Sequence, residues 1–516
     1  MEAVTSPAAG GSATRSQLLV LVGFMGSGKT SAARSLAGAL GAQPLDSDHE
    51  LERRLGEPIE SFFDREGEQA FRAREEELIV ELLDDSAARV VALGGGALGS
   101  ERVREAVARH TVVYLEVDPA VAWRRASGKG RPLARDESRF VELHEQRRPV
   151  YESVADVIVP PGPRGGAVRL LPALAALAQA PAGTRLVWAS AASGEYPVFF
   201  GRGLIDAGFM YPAEAPFVVT DSNVAARHRV RGMGDAAIHP GETAKNLRSA
   251  EWVLRKMAEA GVGHDDAVAA VGGGVVGDLG GFCAAIYQRG IAHVQVPTTL
   301  VAQVDSAFGG KTGVDLPEGK NYAGAYHQPS AVIVDPSALE TLPREELAAG
   351  YAEVVKTALI AGGSLWARVR DGRPVDDEMI LGCIRTKLAV VAEDERDSGR
   401  RQILNLGHTV GHAIEAGTAY SRYRHGEAVG IGLLAALRLS GREQLRREVS
   451  SLLAGQGLPV TFEGPSAEEV AQLVQRDKKR RGGRVPFVLV QAPGDVTPGH
   501  DVPDDELLAA IAEVRA

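Results

Sequence analysis

Apolar residues along this chain gather first into short runs, each followed by a helical pattern. Gln17–Val22 is such a run and ends at a glycine; others stand at Val90–Leu93, Val112–Val117 and Val157–Val159. Short apolar runs bounded by turn residues read as buried strands. Their alternation with helical patterns predicts a parallel sheet with helices on both faces. A last helical stretch, Ala167–Leu177, leads to Gln179–Arg185, whose Gln-Ala-Pro-Ala-Gly-Thr-Arg composition predicts a linker. A second alternating region follows, with strands expected at Phe217–Thr220, Ala267–Val271, His293–Val296 and Val332–Val334. Beyond Pro336, long Ala/Leu/Glu/Arg helical patterns take over, with a late strand pair near Val485–Val490. The expected organisation is a disordered lead-in (1–16), an α/β domain (17–178), a linker (179–185) and a second domain (186–516). That second domain divides into an α/β part (186–336) and a mostly helical part (337–516).

Composition narrows the class. At 516 residues the chain exceeds one hydrophobic core. A net charge of −10 argues against generic nucleic-acid binding, so anionic ligands would need locally basic pockets. The two cysteines, Cys283 and Cys383, sit in apolar contexts and read as small buried hydrophobes in a reducing compartment. Met1–Arg15 lacks a secretory pattern, and no apolar run reaches the ~20 residues of a membrane span. The expectation is a cytoplasmic protein without a membrane partner.

Gly23-Phe24-Met25-Gly26-Ser27-Gly28-Lys29-Thr30 fits G-x-x-x-x-G-K-[ST] between an expected strand and an expected helix. Backbone N–H groups of such a loop cradle phosphates at a helix N-terminus. The pattern assigns ATP to Gly26, Ser27, Gly28, Lys29, Thr30 and Ser31, with Lys29 on the β/γ-phosphates and Thr30 on magnesium. Further along stand Leu45-Asp46-Ser47-Asp48, Gly67-Glu68-x-x-Phe71-Arg72-x-x-Glu75, Gly94-Gly95-Gly96, Arg131-Pro132-Leu133 and Arg147-x-Pro149-x-Tyr151. With these elements, residues 17–178 resemble the shikimate kinases. The resemblance implies that Arg72 and Arg147 grip the shikimate carboxylate, and that Asp48 orients or deprotonates the attacking hydroxyl. It also implies that Asp46 acts near magnesium, that Gly94, Gly95 and Gly96 admit the ring, and that Arg131 closes over the phosphates. The alternative is a gluconate kinase-like enzyme, against which the triple glycine and the Arg-x-Pro-x-Tyr element weigh.

Gly272-Gly273-Gly274-Val275-Val276-Gly277 matches G-x-G-x-x-G after an expected strand, by itself a weak signal. The acidic residue expected ~20 positions later in a dinucleotide unit is missing. The surroundings are more specific: Asp221-Ser222-Asn223, Pro240-Gly241-Glu242-x-x-Lys245, Pro297-Thr298-Thr299, Gln303-Val304-Asp305-Ser306, Gly309-Gly310-Lys311 and Gly319-Lys320-Asn321. Ala352-Glu353-Val354-Val355-Lys356 lies on an expected helix. Asn405-Leu406-Gly407-His408-Thr409-Val410-Gly411-His412 puts two imidazoles on one helical face, and His425-Gly426-Glu427 follows. One carboxylate and two imidazoles suit a catalytic zinc; spacing alone would pair His408 with His412.

Over roughly 186–490 these elements resemble the 3-dehydroquinate synthases. The resemblance implies Glu353, His408 and His425 as ligands of zinc or cobalt, with His412 on the substrate. It implies NAD contacts from Asp221, Asn223, Glu242, Lys245, Gly273, Gly274, Val275, Asp278, Thr298, Thr299, Asp305, Lys311 and Lys320. The heptulosonate phosphate substrate would meet Lys311, Asn321, Lys387, Asp397, Arg401, Asn405 and Lys478 or Lys479, with Arg289 entering from the other subunit of a homodimer. Lys356 and Asp305 would bridge cofactor, substrate and metal. Asp397 stands where the family usually has Glu. The implied reaction borrows NAD⁺ for a hydride, eliminates phosphate from 3-deoxy-D-arabino-heptulosonate 7-phosphate and closes the ring to 3-dehydroquinate. Two rivals remain: a metal- and NAD-dependent polyol dehydrogenase, which would not need the lysine, asparagine and arginine phosphate set, and a half retained only as a non-catalytic dimerisation module.

Overall fold

The computed structural model describes residues 18–84, 89–128, 132–161, 166–480 and 485–516, without the side chains of 132 and 476–480. The expected lead-in lies outside the described residues. Two compact units divide the chain after Ala175.

In the first unit, β1 (Leu19–Val22), β2 (Pro44–Asp46), β3 (Val90–Ala92), β4 (Thr111–Leu115) and β5 (Val157–Val159) form a parallel array in the order β2-β3-β1-β4-β5. Every residue of β3 and β5 is buried, as strands covered on both faces require. The Asp46 carboxylate accepts hydrogen bonds from the N–H groups of Asp48 and His49 and so starts the helix Ser47–Leu55 at the strand's end. Val20, Val91, Val112, Ile158, Phe24 and Phe140 belong to the core.

The second unit contains β6 (Arg185–Ser190), β7 (Glu195–Phe200), β8 (Phe217–Asp221), β9 (Gly234–Ile238), β10 (Ala267–Gly272), β11 (Ala292–Pro297), a hairpin of β12 (Lys311–Leu316) and β13 (Gly319–Tyr326), and β14 (Ala331–Val334). Its sheet runs β6-β7-β14-β11-β10-β8-β9, parallel except for the β6–β7 hairpin. β6, β7, β9 and the β12–β13 hairpin extend the expected strand set. Pro197 is tolerated in β7 because pairing with β14 begins only at Val198. The helix after β10 runs from Gly274 to Ile286, and Gln288 and Arg289 then adopt positive φ.

Beyond Pro336 helices dominate, including Arg344–Ala361, Asp377–Glu393, His408–Gly417 and His425–Leu439. Val355, Leu359, Ile384, Val429 and Leu433 pack in one core. The late strand pair is an antiparallel hairpin, β15 (Phe487–Ala492) and β16 (Asp495–His500). Among the described residues, no helix is long and apolar enough to cross a membrane.

Candidate active sites

β1 hands the chain to a loop at 23–28 and then to the helix Lys29–Ala39. No side chain caps that helix, so its first-turn N–H groups, Thr30 and Ser31 among them, face the loop that also carries Gly26 and Ser27. Lys29 Nζ curls over the loop and donates to the carbonyls of Gly23 (2.8 Å) and Phe24 (3.1 Å). Thr30 Oγ1 donates to Asp46 Oδ2 at 2.7 Å, which joins the two residues expected beside magnesium. A hydroxyl and a carboxylate side by side at the mouth of a phosphate loop are oxygen donors suited to that hard cation.

Beside them lies a cavity of about 430 Å³ lined by Arg72, Glu75, Gly95, Gly96, Arg147 and Tyr151, among others. Arg147 and Tyr151, one helical turn apart, both donate to the Gly95 carbonyl, at 3.0 and 2.5 Å. A Cβ on Gly94 would stand 2.5 Å from Asp48 Oδ1 and 2.6 Å from Glu75 Oε1, and one on Gly96 would collide with the Arg72 guanidinium. These two positions must be glycine for the acids and the arginine to close on the backbone. Glu75 had no role assigned from sequence. It is buried, pairs with Arg72 at 2.5 Å, and burial pushes its carboxyl pKa up against the opposing charge of Arg72. Its signal was its spacing, three residues after Arg72 on one helical face. Arg131 lies outside the described residues.

In the second unit the parallel strands deliver their site residues at one edge. Gly272, the last residue of β10, pairs with Pro297 of β11, and Val271 pairs with Thr220 of β8. Asp221, Gly273 and Thr298 therefore stand together just beyond the C-terminal ends, where ligands bind in open α/β sheets. Gly273 begins the helix that carries Gly274, Val275 and Asp278, with no side-chain cap. Asp221 caps the short helix Ser222–Ala225 through the N–H of Asn223. Lys245, buried, meets Glu242 at 2.9 Å, Asp278 at 3.3 Å and Asp315 at 3.8 Å. Burial raises the Asp278 carboxyl to about 6 although Lys245 opposes it.

The metal-ligand candidates come from three helices. Glu353 is fully buried on Arg344–Ala361, and its Oε2 meets Lys356, one turn on, at 2.5 Å. Glu353 Oε1 lies 3.5 Å from Nε2 of both His408 and His425 and has no hydrogen-bond partner of good geometry. His408 Nδ1 lies 3.1 Å from the Leu406 carbonyl, which can only accept, so Nδ1 carries the proton and Nε2 keeps its lone pair. His425 Nδ1 faces Glu415 Oε1 at 3.5 Å. Burial alone would lower His425, but the carboxylates of Glu353 and Glu415 beside it raise it to about 9. Two imidazole nitrogens and one carboxylate oxygen converge there, a donor set that a divalent cation fits. The three imidazoles of His408, His412 and His425 offer nitrogens within 4.8 Å of one another. His412, exposed, has no contact to Glu353 of the kind the other two make, so geometry separates it from the pair.

Asp305 joins this centre through Lys387 (2.7 Å) and Lys356 (3.6 Å). Burial opposes ionisation of Asp305, but the two lysines hold its carboxyl below the ordinary range. Arg401 is buried, donating to the carbonyls of Gly309 (3.1 Å) and Glu395 (2.5 Å), and Asn405 ends the same helical turn. Lys320 meets Glu242 at 3.4 Å and Glu415 at 3.1 Å, which links the nucleotide edge to the metal side. Lys311 and Asp397 pair with each other at 2.5 Å; Asp397 sits at φ 60°, a region that Asp tolerates better than longer side chains. Asn321 and Arg289 are exposed, and the Lys479 side chain lies outside the described residues. Glu415 and Asp315 had not been singled out from sequence. Glu415 could have been, because it follows His408 by seven and His412 by three residues on one face.

The shikimate kinase family matches residues 25–164, the 3-dehydroquinate synthase N-terminal family residues 235–349 and its C-terminal family residues 350–480. The 3-dehydroquinate synthase of Halorhodospira halophila is 41% identical over 354 residues, covering 63% of this chain and 100% of that one. The solved 2-epi-5-epi-valiolone synthase ValA of Streptomyces hygroscopicus subsp. jinggangensis, with NAD⁺ and Zn²⁺ bound, is 26% identical and covers 62% of this chain and 96% of its own, with a TM-score of 0.55. A shikimate kinase from Acinetobacter baumannii in complex with shikimate is 39% identical and covers 30% of this chain and 89% of its own, with a TM-score of 0.28. The chain therefore belongs to the 3-dehydroquinate synthase family and carries a shikimate kinase domain ahead of it, two enzymes of the shikimate pathway in one polypeptide.

Proposed function

We propose that the two activities run at separate sites with the following division of labour. The kinase comprises 17–178 and the synthase 186–516, joined by 179–185. In the kinase, Lys29 and the first-turn N–H groups hold the ATP phosphates, and Thr30 with Asp46 holds magnesium. Arg72 and Arg147 take the shikimate carboxylate, because two guanidinium groups on one cavity suit a planar anion. Asp48, packed against Gly94, orients the hydroxyl that attacks, and Arg131 neutralises charge on the transferred phosphoryl group.

In the synthase, Glu353, His408 and His425 hold zinc or cobalt, and NAD⁺ lies along the edge marked by Asp221, Glu242, Lys245, Gly273, Gly274, Asp278, Thr298 and Thr299. Held there, the ion would supply polarisation of substrate hydroxyls and NAD⁺ would supply a reversible hydride acceptor. Lys356 keeps Glu353 and Asp305 ionised in a buried setting. Lys311, Asn321, Lys387, Arg401, Asn405 and a lysine at 478 or 479 supply the positive and amide groups that a phosphorylated acid requires, with Asp397 holding Lys311. His412, on the solvent side of the histidine set, contacts substrate. Arg289 completes the site of the other subunit in a homodimer. The enzyme works in the cytoplasm, in keeping with two buried thiols.

The convergence of Glu353 Oε1 with Nε2 of His408 and His425, each at 3.5 Å, carries the synthase reading. Mass spectrometry after separate incubations tests the whole. ATP with shikimate gives shikimate 3-phosphate; the heptulosonate phosphate gives 3-dehydroquinate and phosphate with no net NADH. Accumulating NADH would favour the polyol dehydrogenase instead.

A further inference from the structure

Glu415 is 2% exposed, yet its contacts are charged groups of the active site. Oε1 lies 3.1 Å from Lys320 Nζ and 3.5 Å from His425 Nδ1, while Oε2 has no hydrogen-bond partner among the described residues. Burial disfavours a charged carboxylate, and the Lys320 ammonium and the His425 imidazole stand against this one. An ionised carboxylate costs several kcal/mol to bury unless it is paired. Each partner is a residue with a proposed role, so the burial serves the site.

The two imidazoles assigned to the metal differ in their support. His408 is oriented by a backbone carbonyl, that of Leu406, and the local fold fixes it. No comparable carbonyl contact is present for His425 among the described residues; its Nδ1 faces a carboxylate instead. A ring nitrogen hydrogen-bonded to a carboxylate has its tautomer and plane fixed and its other nitrogen made more basic. We propose that Glu415 is a positioning residue of the synthase, accepting a hydrogen bond from Nδ1–H of His425 so that Nε2 faces Glu353 and the divalent ion, and holding Lys320 with the same oxygen. The consequence is a chain Glu242–Lys320–Glu415–His425–Glu353 that ties the nucleotide edge to the ligand set. This inference rests on Glu353, His408 and His425 as the ligands.

Cobalt titration of the full chain, stripped with a chelator and followed by d–d absorption, tests it. Glu415→Leu weakens Co²⁺ binding by about 10–100-fold and alters the band shape. Glu415→Gln keeps an acceptor for Nδ1–H but loses the charge; it weakens binding by roughly three- to tenfold and leaves the fold isosteric. His425→Ala abolishes tight binding. If His425→Ala binds Co²⁺ like the wild type, the ligand assignment itself is wrong. If His425→Ala loses Co²⁺ while Glu415→Leu and Glu415→Gln keep wild-type affinity and spectrum, the assignment stands and the positioning role falls. Should the leucine variant fail to fold, the glutamine variant decides: unchanged affinity and spectrum overturn the role.

Discussion

In the N-terminal unit the candidate arginines Arg72 and Arg147 border a cavity: Arg147 and Tyr151 share the Gly95 carbonyl, and Arg72 pairs with the buried Glu75 and the exposed Glu68. In the C-terminal unit several candidate acids and lysines pair with one another. Lys356 joins Glu353 to Asp305, Lys387 joins Asp305, and Lys320 joins Glu242 to Glu415. The difference follows from what each reaction brings with it. A kinase receives its cation with the nucleotide and needs only a prepared surface for anions. A synthase that moves a hydride and expels phosphate at one site needs acids, lysines and a transition metal fixed beforehand. Burying those charges costs several kcal/mol per ion unless they neutralise one another. Alternation of sign along the chain of contacts is the structural answer.

The contrast can be broken most sharply at the ligands. Glu353→Ala or His425→Ala removes several kcal/mol of charge stabilisation, on the order of a thousandfold in synthase turnover. Kinase turnover in the same protein stays within about a factor of three, since distant sites are nearly additive. Lys29→Ala is the mirror experiment. Steady-state assays should show shikimate phosphorylation reduced by ~10²–10³ and dehydroquinate formation within about threefold of wild type.

Subunit exchange gives the next effect. Arg289→Ala and Lys387→Ala homodimers are each nearly inactive as synthases, and mixing them restores roughly a quarter of wild-type activity, because about half the dimers are mixed and each has one intact site. No recovery under verified exchange would place Arg289 in its own subunit's site.

The smallest effect is a pH dependence. The Asp278 carboxyl, ordinarily near 3.8, is raised to about 6 by burial. A folded-state value above the unfolded one gives stability that is full below the unfolded pKa and is lost as pH rises through about 6. Asp278→Asn escapes that loss. Its unfolding free energy relative to wild type should improve by about 1–2 kcal/mol between pH 4 and pH 7.5, measured by denaturant titration. A difference that does not change with pH would mean that Lys245 already absorbs the charge.

What could be read from the sequence depended on whether a contact was local. The phosphate loop, the glycine triplet after β3 and the buried strands β3, β5, β10 and β14 are written in contiguous residues, and the structure places them where the pattern expects. β7 was hidden by Pro197, and β9 by its composition, Gly-Asp-Ala-Ala-Ile, which has one large apolar residue although its burial alternates. Spacing suggested His408 with His412, because both lie on one helix. His425, which lies 3.5 Å from Glu353, arrives from the next helix and so leaves no helical spacing to read. Glu75 and Glu415 were both readable as face neighbours of residues already singled out. Their burial, which makes them matter, is a property of tertiary packing.

One preparation of the full chain, stripped of divalent ions and assayed for both reactions as each metal is restored, bears most directly on the separation of the two sites and on the ligand set. Mg²⁺ alone should restore shikimate phosphorylation and leave dehydroquinate formation near zero, and Zn²⁺ or Co²⁺ should then restore the synthase, as a donor set of two imidazoles and one carboxylate favours borderline transition metals. Full synthase activity with Mg²⁺ alone would contradict Glu353, His408 and His425 as its metal ligands.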